Sequence, residues 1–169
     1  MKYPCIILQG AYSKGLIISV AVAGKGQEQD SGGKIIHVGP HTTSSIIAKS
    51  VCKDGGRATY RGLLKILPCA VGAQAKVQCD SLLLDQEARA DAKPTMLILQ
   101  KDADVGHEAS VSSIDDEQIF YLQSRGLTPD RARSLIVNGF IDAFVKELPM
   151  EYAVEINKLI AMDIEDSIG

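Results

Sequence analysis

The sequence predicts a mainly β protein with an α-helical appendage. Over roughly the first two thirds, short apolar runs rich in Ile, Val and Leu alternate with Gly and polar turns; from about Asp115 onward, apolar residues recur at steps of three and four. The joint between the two patterns is Val105-Gly106-His107-Glu108-Ala109, where a pair of residues able to bind metal is found.

Taken in order, residues 5–8, 16–22, 34–38 and 45–49 are short, β-branched and bounded by Gly, Ser, Asp or Pro, as strands are, and 59–67, 76–84 and 95–99 continue the series. No amphipathic helix of usual length interrupts them. Many short strands without helices suit a sandwich, a barrel or a solenoid. The first strand begins a few residues into the chain with no cap before it, which favours a solenoid whose preceding coils are missing, but no exact repeat is visible. Pattern alone leaves solenoid and sandwich level.

The helical part begins at Asp115-Asp116, acidic residues suited to the positive end of a helix over 117–123, which Gly126 then ends. Thr128-Pro129-Asp130 is a second start, with Thr128 as N-cap and Pro129 in the first turn. Ala132, Leu135, Ile136, Gly139, Phe140, Ala143 and Phe144 form its expected apolar stripe, and Leu148-Pro149 its stop. A third helix is expected from about Glu151, with Ala153, Ile156, Asn157 and Ile160 on one side. The expected domains are therefore 1–112 and 113–169.

Composition bounds the function. The 169 residues are 46% hydrophobic and 23% charged with a net charge of -3, which suits a globular protein and gives no electrostatic footprint for nucleic acid. No membrane span and no secretory signal are read, so the expected compartment is cytoplasmic, or a plastid-type organelle in a eukaryote. Cys5, Cys52, Cys69 and Cys79 form no C-x-x-C pair, which argues against a zinc ribbon or thioredoxin-type site.

Several motifs fail. His37-x-x-x-His41 has the spacing of two ligands on a helix, but Gly39-Pro40 between them forbids the helix and predicts a turn. Gly24-Lys25-Gly26 and Gly32-Gly33-Lys34-Ile35 lack the glycine spacing of a phosphate loop, and Ile35 stands where Ser or Thr would hold magnesium; both are expected to be turns. No G-x-S-x-G elbow exists, and no charged cluster marks the outer-face site of a polysaccharide-acting β-helix enzyme.

Cys79, His107 and Glu108 remain. Alternation places Cys79 on the face of Ala75 and Val77, where a core-filling cysteine would also lie. His107 and Glu108 are adjacent, so they reach one site only if Gly106 permits a bend or bulge; otherwise one is a ligand at most.

Ordered blocks along essentially the whole chain carry a resemblance. They are Met1-Lys2-Tyr3-Pro4, Gly24-Lys25-Gly26-Gln27-Glu28-Gln29-Asp30, Gly55-Gly56-Arg57, Tyr60-Arg61-Gly62, Gln78-Cys79-Asp80-Ser81-Leu82-Leu83, His107-Glu108-Ala109, Ile136-Val137-Asn138-Gly139-Phe140 and Glu147-Leu148-Pro149-Met150-Glu151. With these the chain resembles the C-terminal part of the SufB/SufD family, the iron–sulfur cluster assembly scaffolds of the SUF system. The cysteine block points to the SufB branch.

That resemblance implies a right-handed parallel β-helix followed by a helical domain, with the N-terminal region and early coils of the full subunit lying outside this chain. It implies a non-enzymatic scaffold that pairs through the β-helix with SufD or a second SufB. It also implies that the SufC ATPase docks on helices within 115–169, so that ATP acts only through SufC. Cys79 matches the family position that binds sulfur and a nascent, labile iron–sulfur cluster, with Glu108 and His107 as the neighbouring pair; sulfur donor and cluster acceptor proteins are the further partners. A single thiolate cannot make an all-cysteine cluster site, so other ligands must come from non-thiol groups or a partner. Gly106 stands where an acidic residue is expected in bacterial members, and Cys5, Cys52 and Cys69 match no functional family cysteine. The alternative is a SufD-like interaction subunit in which Cys79 is merely buried.

Overall fold

A computed structural model describes residues 1–145 together with 150, 152, 154, 155 and 158. The chain divides into two compact units, Met1–Ser112 and Ser113–Gly169.

The first unit holds β1 (Cys5–Leu8), β2 (Lys14–Ala23), β3 (Glu28–His37), β4 (Thr43–Cys52), β5 (Arg57–Ile66), β6 (Gln74–Leu83), β7 (Arg89–Ala92), β8 (Thr95–Ile98) and all but the last residue of β9 (Asp104–Ser113). Neighbours in sequence do not pair. One sheet runs β1-β3-β5-β7, with β8 also on β5, and the other runs β2-β4-β6-β9. The pairings are parallel, with Cys5 beside Lys34, Lys14 beside Thr43 and Thr43 beside Gln74. The chain therefore returns to the same sheet after about 30 residues, the period of a coil, and the fold is a parallel β-solenoid. A sandwich of hairpins would pair its strands antiparallel, so this topology resolves the tie.

The coil length drifts, from Cys5 beside Lys34 to Arg57 beside Arg89. Unequal corners absorb the difference, which is why no fixed period is legible in the sequence.

Two features correct the expected strands. Gly32-Gly33 is no turn but lies inside β3, opposite Arg61-Gly62 of β5. A Cβ at Gly32 would collide with the Arg61 carbonyl, and one at Gly33 would stand 2.9 Å from Ile17 Cγ2, so close packing rather than turning demands glycine there. The weakly β-forming Arg89–Ala92 also pairs as a strand, because the coil below supplies its ladder.

Alternate residues point into the lumen. Ile35, Ile46, Leu64, Ile66 and Val77 are almost fully buried there, and each side chain of this size contributes about 1.5–3 kcal/mol by leaving water. At one corner His37 is enclosed with both ring nitrogens satisfied, Nδ1 at 2.7 Å from Thr42 Oγ1 and Nε2 at 2.8 Å from Ser44 Oγ. The His37–His41 segment is the expected turn, and His37 pins it.

In the second unit, α1 (Asp116–Ser124) is capped by Asp115, whose side chain accepts from the Glu117 N–H at 3.0 Å. Gly126, at φ 92°, follows its end. α2 (Pro129–Val145) starts where Thr128 Oγ1 accepts from the Arg131 N–H. Its buried positions are Ala132, Val137, Ile141 and Val145, with Leu135 and Gly139 exposed, so the apolar face is rotated from the expected stripe. Val137, Ile141 and Val145 follow one another at steps of four along one face, whereas Leu135 lies about 160° around the helix from Val137. The side chains of Ala143 and Phe144, the stop at Leu148-Pro149, and Glu151, Ala153, Ile156, Asn157 and Ile160 of the expected third helix lie outside the described residues. No described helix is long and apolar enough to cross a membrane.

Candidate functional site

Cys79 is central on β6 and points into the lumen with Ala75 and Val77, its exposure only 3%. Ala48 of β4 stands beside it, and Val77, Ile46 and Tyr60 belong to the same packed cluster. Burial first, and then the neighbouring Asp80 charge, push its thiol up to about 11. In this conformation the sulfur is an enclosed, protonated thiol rather than a ready nucleophile.

The register of β9 follows from its first hydrogen bond. The Asp104 N–H donates to the Ala73 carbonyl, as the Gln74 N–H donates to Thr42 where Thr43 stands beside Gln74. Asp104 therefore lies beside Gln74, which brings His107 beside Val77, Glu108 beside Gln78, Ala109 beside Cys79 and Ser110 beside Asp80. The Ser110 hydroxyl donates to Asp80 Oδ1 at 2.6 Å, as that register requires.

Parity then separates the pair. His107 shares the lumen side with Val77 and Cys79, whereas Glu108 lies on the outer face, its Oε2 3.8 Å from Lys76 Nζ. Gly106 is not among the left-handed glycines and β9 runs unbroken, so no bulge brings the two side chains together. The structure thus places His107 on the Cys79 side and Glu108 on the other; both are exposed. Among the described residues, no three His, Cys, Asp or Glu side chains converge as a metal site would need.

Outside the lumen, Asp80 accepts from Lys49 at 2.7 Å, Gln78 at 2.9 Å and Ser110 at 2.6 Å. Burial would raise its carboxyl, but these donors outweigh burial and hold it below the usual carboxylate range. The network ties β4, β6 and β9 together directly behind Cys79. Sequence reasoning missed it, since only register brings Lys49 and Ser110 to Asp80. Of the other cysteines, Cys52 is buried in a second, alanine-lined cluster, and Cys5 and Cys69 are exposed.

Fold and site together define a parallel β-solenoid in which a buried thiol, Cys79, lies one rung from the exposed His107–Glu108 pair of β9. The chain belongs to the SufBD family: the family model for the SUF system FeS cluster assembly, SufBD core domain, matches residues 1–140. It is 48% identical over all 169 residues to the iron-sulfur cluster assembly protein SufB of Bacillus subtilis, covering 36% of that protein. A SufBD family protein of Staphylococcus saprophyticus is likewise 48% identical with 36% covered, and one of Mycobacterium bovis is 47% identical with 20% covered. The chain thus spans about a third or less of the length of these relatives.

Proposed function

We propose that the chain is part of a scaffold subunit on which iron–sulfur clusters are assembled and handed on, with the cluster as cargo rather than resident cofactor. The observation that carries this reading is the SufBD match together with a single thiol, Cys79, enclosed one rung from the exposed terminal strand that bears His107. Cys79 takes up sulfur and then binds the nascent cluster, because a soft thiolate suits both. His107 supplies imidazole from the same side. Glu108 acts from the outer face, toward a second chain.

The second chain, SufD or another SufB, pairs with the solenoid. Supporting this, β9 closes the ladder of its sheet with most of its residues exposed, and Met96, Leu97, Ile98 and Leu99 are exposed along and after β8. The SufC ATPase docks on the helical unit, where Phe120, Tyr121 and Leu135 are exposed apolar residues. ATP thereby drives the opening that the enclosed thiol requires, and can do so only if SufC favours one of two conformations. The family role and the relatives' bacterial sources favour a cytoplasmic setting, with sulfur donor and cluster acceptor proteins as transient partners.

The test is reconstitution of the full subunit with its ATPase complex. Cys79→Ala should recover no bound iron and sulfide; unchanged recovery would remove Cys79 from the site. The 3% exposure and raised thiol of Cys79 favour a second reading, a SufD-like structural subunit. On that reading Cys79→Ala leaves cluster recovery intact and only SufC binding and pairing matter.

A further inference from the structure

On the outer face of the sheet that holds β3 and β5, Tyr3, Lys34, Arg61, Leu63, Lys93 and Thr95 line one open groove of about 410 Å³. Three of its lining residues are cations and none is a carboxylate. Register brings the cations together. Lys34 stands beside Leu63, two residues along β5 from Arg61. The Lys93 N–H donates to the Tyr60 carbonyl at 2.8 Å, continuing the ladder in which Ala92 stands beside Tyr60, so Lys93 lies beside Arg61. With strands about 4.8 Å apart and about 3.3 Å per residue, the Cα atoms of Arg61 and Lys93 are roughly 5 Å apart and those of Arg61 and Lys34 roughly 8 Å.

Arg61 is held in place from one side. Gly32, which faces outward beside it, leaves room for the Tyr3 ring, since a Cβ there would stand 2.8 Å from that ring. The Tyr3 hydroxyl donates to Asp30 Oδ1 at 2.5 Å, and Asp30 Oδ2 accepts from Arg61 Nε at 3.2 Å. Asp30 thereby fixes one edge of the guanidinium while the Arg61 side chain stays 52% exposed. Lys34 and Lys93 have no ion pair among the described residues, and Asp91, one outward step before Lys93, makes none with it. The groove is therefore a local excess of positive charge on a chain whose net charge is -3.

Unneutralised cations gathered around a concavity attract an anionic partner. We propose that this groove docks an extended, acidic segment of a partner protein. Two features favour a peptide over a small phosphorylated ligand. The groove lies open on a sheet face, whereas small-ligand sites enclose most of what they bind. Side chains on one side of an extended chain also recur about every 6.7 Å, close to the Arg61–Lys34 separation and wider than a single phosphate. Arg61 takes one carboxylate with its planar fork, Lys93 reinforces it, and Lys34 takes the next carboxylate, with Leu63 as the apolar floor between them. This surface is independent of any role for Cys79.

The test is fluorescence anisotropy of a fluorescein-labelled oligoglutamate peptide with the full chain at low salt. The unaltered chain should bind it, and added salt should weaken binding, as screening requires. Lys34→Ala with Lys93→Ala should weaken binding about tenfold, the sum of two exposed charge contacts, without lowering the melting temperature. Lys14→Ala with Lys101→Ala removes two exposed lysines outside the groove and should leave binding unchanged.

No binding to the unaltered chain would overturn the proposal. So would equal losses in the two double variants, which would show attraction to surface charge in general. Inorganic tripolyphosphate is the competing arm. If it binds the unaltered chain more tightly than the peptide and loses affinity in the groove variant, the groove is a phosphate site and the docking proposal falls.

Discussion

The Lys49 ammonium and the Asp80 carboxylate meet at 2.7 Å across β4 and β6, each side chain only 12% exposed, on the outer face directly behind Cys79. Enclosed pairs differ from surface ion pairs in that removing one partner strands the other in poor solvent. Asp80→Ala should therefore destabilise the first unit by about 2 kcal/mol, as measured by denaturant unfolding. A cost near zero would show that the network is no more than a surface ornament. Because the folded carboxyl titrates below its ordinary value, this contribution is present above the unfolded pKa of about 4 and is lost as pH falls through the lower folded value.

His37 provides a second pH dependence, with its own window. Burial lowers its pKa below the ordinary 6.5, and both ring nitrogens are engaged by hydroxyls. A folded pKa below the unfolded one means the unfolded chain binds the proton more tightly. Stability is therefore full above about pH 6.5 and declines as pH falls below it. His37→Gln should lower stability at pH 8 but flatten the fall between pH 7 and pH 5 in thermal melts. An unchanged slope would assign that fall to other groups.

Much of this fold was legible in the local pattern. Ala75, Val77 and Cys79 alternate with polar residues, and that alone puts the cysteine inside; Asp115 and Thr128 announce the helix starts they cap. Gly32-Gly33 misled because glycine reads as a turn whether it serves the backbone's own bending or a neighbour's close approach. Register was not legible at all. It depends on summed corner lengths, and it alone decides that Ser110 meets Asp80 and that Ala109, rather than His107, stands beside Cys79. The orientation of the His107–Glu108 pair was reducible to one question about Gly106, and the unbroken β9 answers it.

Exposure should order the cysteines' reactivity. Cys5 and Cys69 are exposed, whereas Cys52 and Cys79 are buried, with burial raising both of the latter thiols and Cys79 reaching about 11. Iodoacetamide at pH 8, followed by peptide mass spectrometry, should label Cys5 and Cys69 at least tenfold faster than Cys79, each pKa unit above ambient pH costing about a factor of ten in thiolate. If ATP-driven opening exposes the sulfur-binding thiol, adding SufC and ATP to the full subunit should accelerate labelling at Cys79 and not at Cys52. Equal acceleration at both would indicate general loosening of the solenoid.

Glu108 separates a structural from a functional carboxylate. Among the described residues its ion pair is with Lys76, 3.8 Å long, with the two side chains 67% and 58% exposed, so pairing contributes well under about 1 kcal/mol. Glu108→Gln should accordingly leave the melting temperature of the isolated chain unchanged. Because the carboxylate lies on the outer face while Cys79 and His107 lie on the lumen side, it can join them at a cluster only with help from a second chain or from movement of β9. In the paired complex Glu108→Gln should then lower recovered iron, whereas in the isolated chain it should change nothing. His107→Asn should lower iron recovery in the same assay without altering subunit pairing. If Glu108→Gln retains full iron in the complex while His107→Asn does not, His107 is the ligand and Glu108 a solvated partner of Lys76.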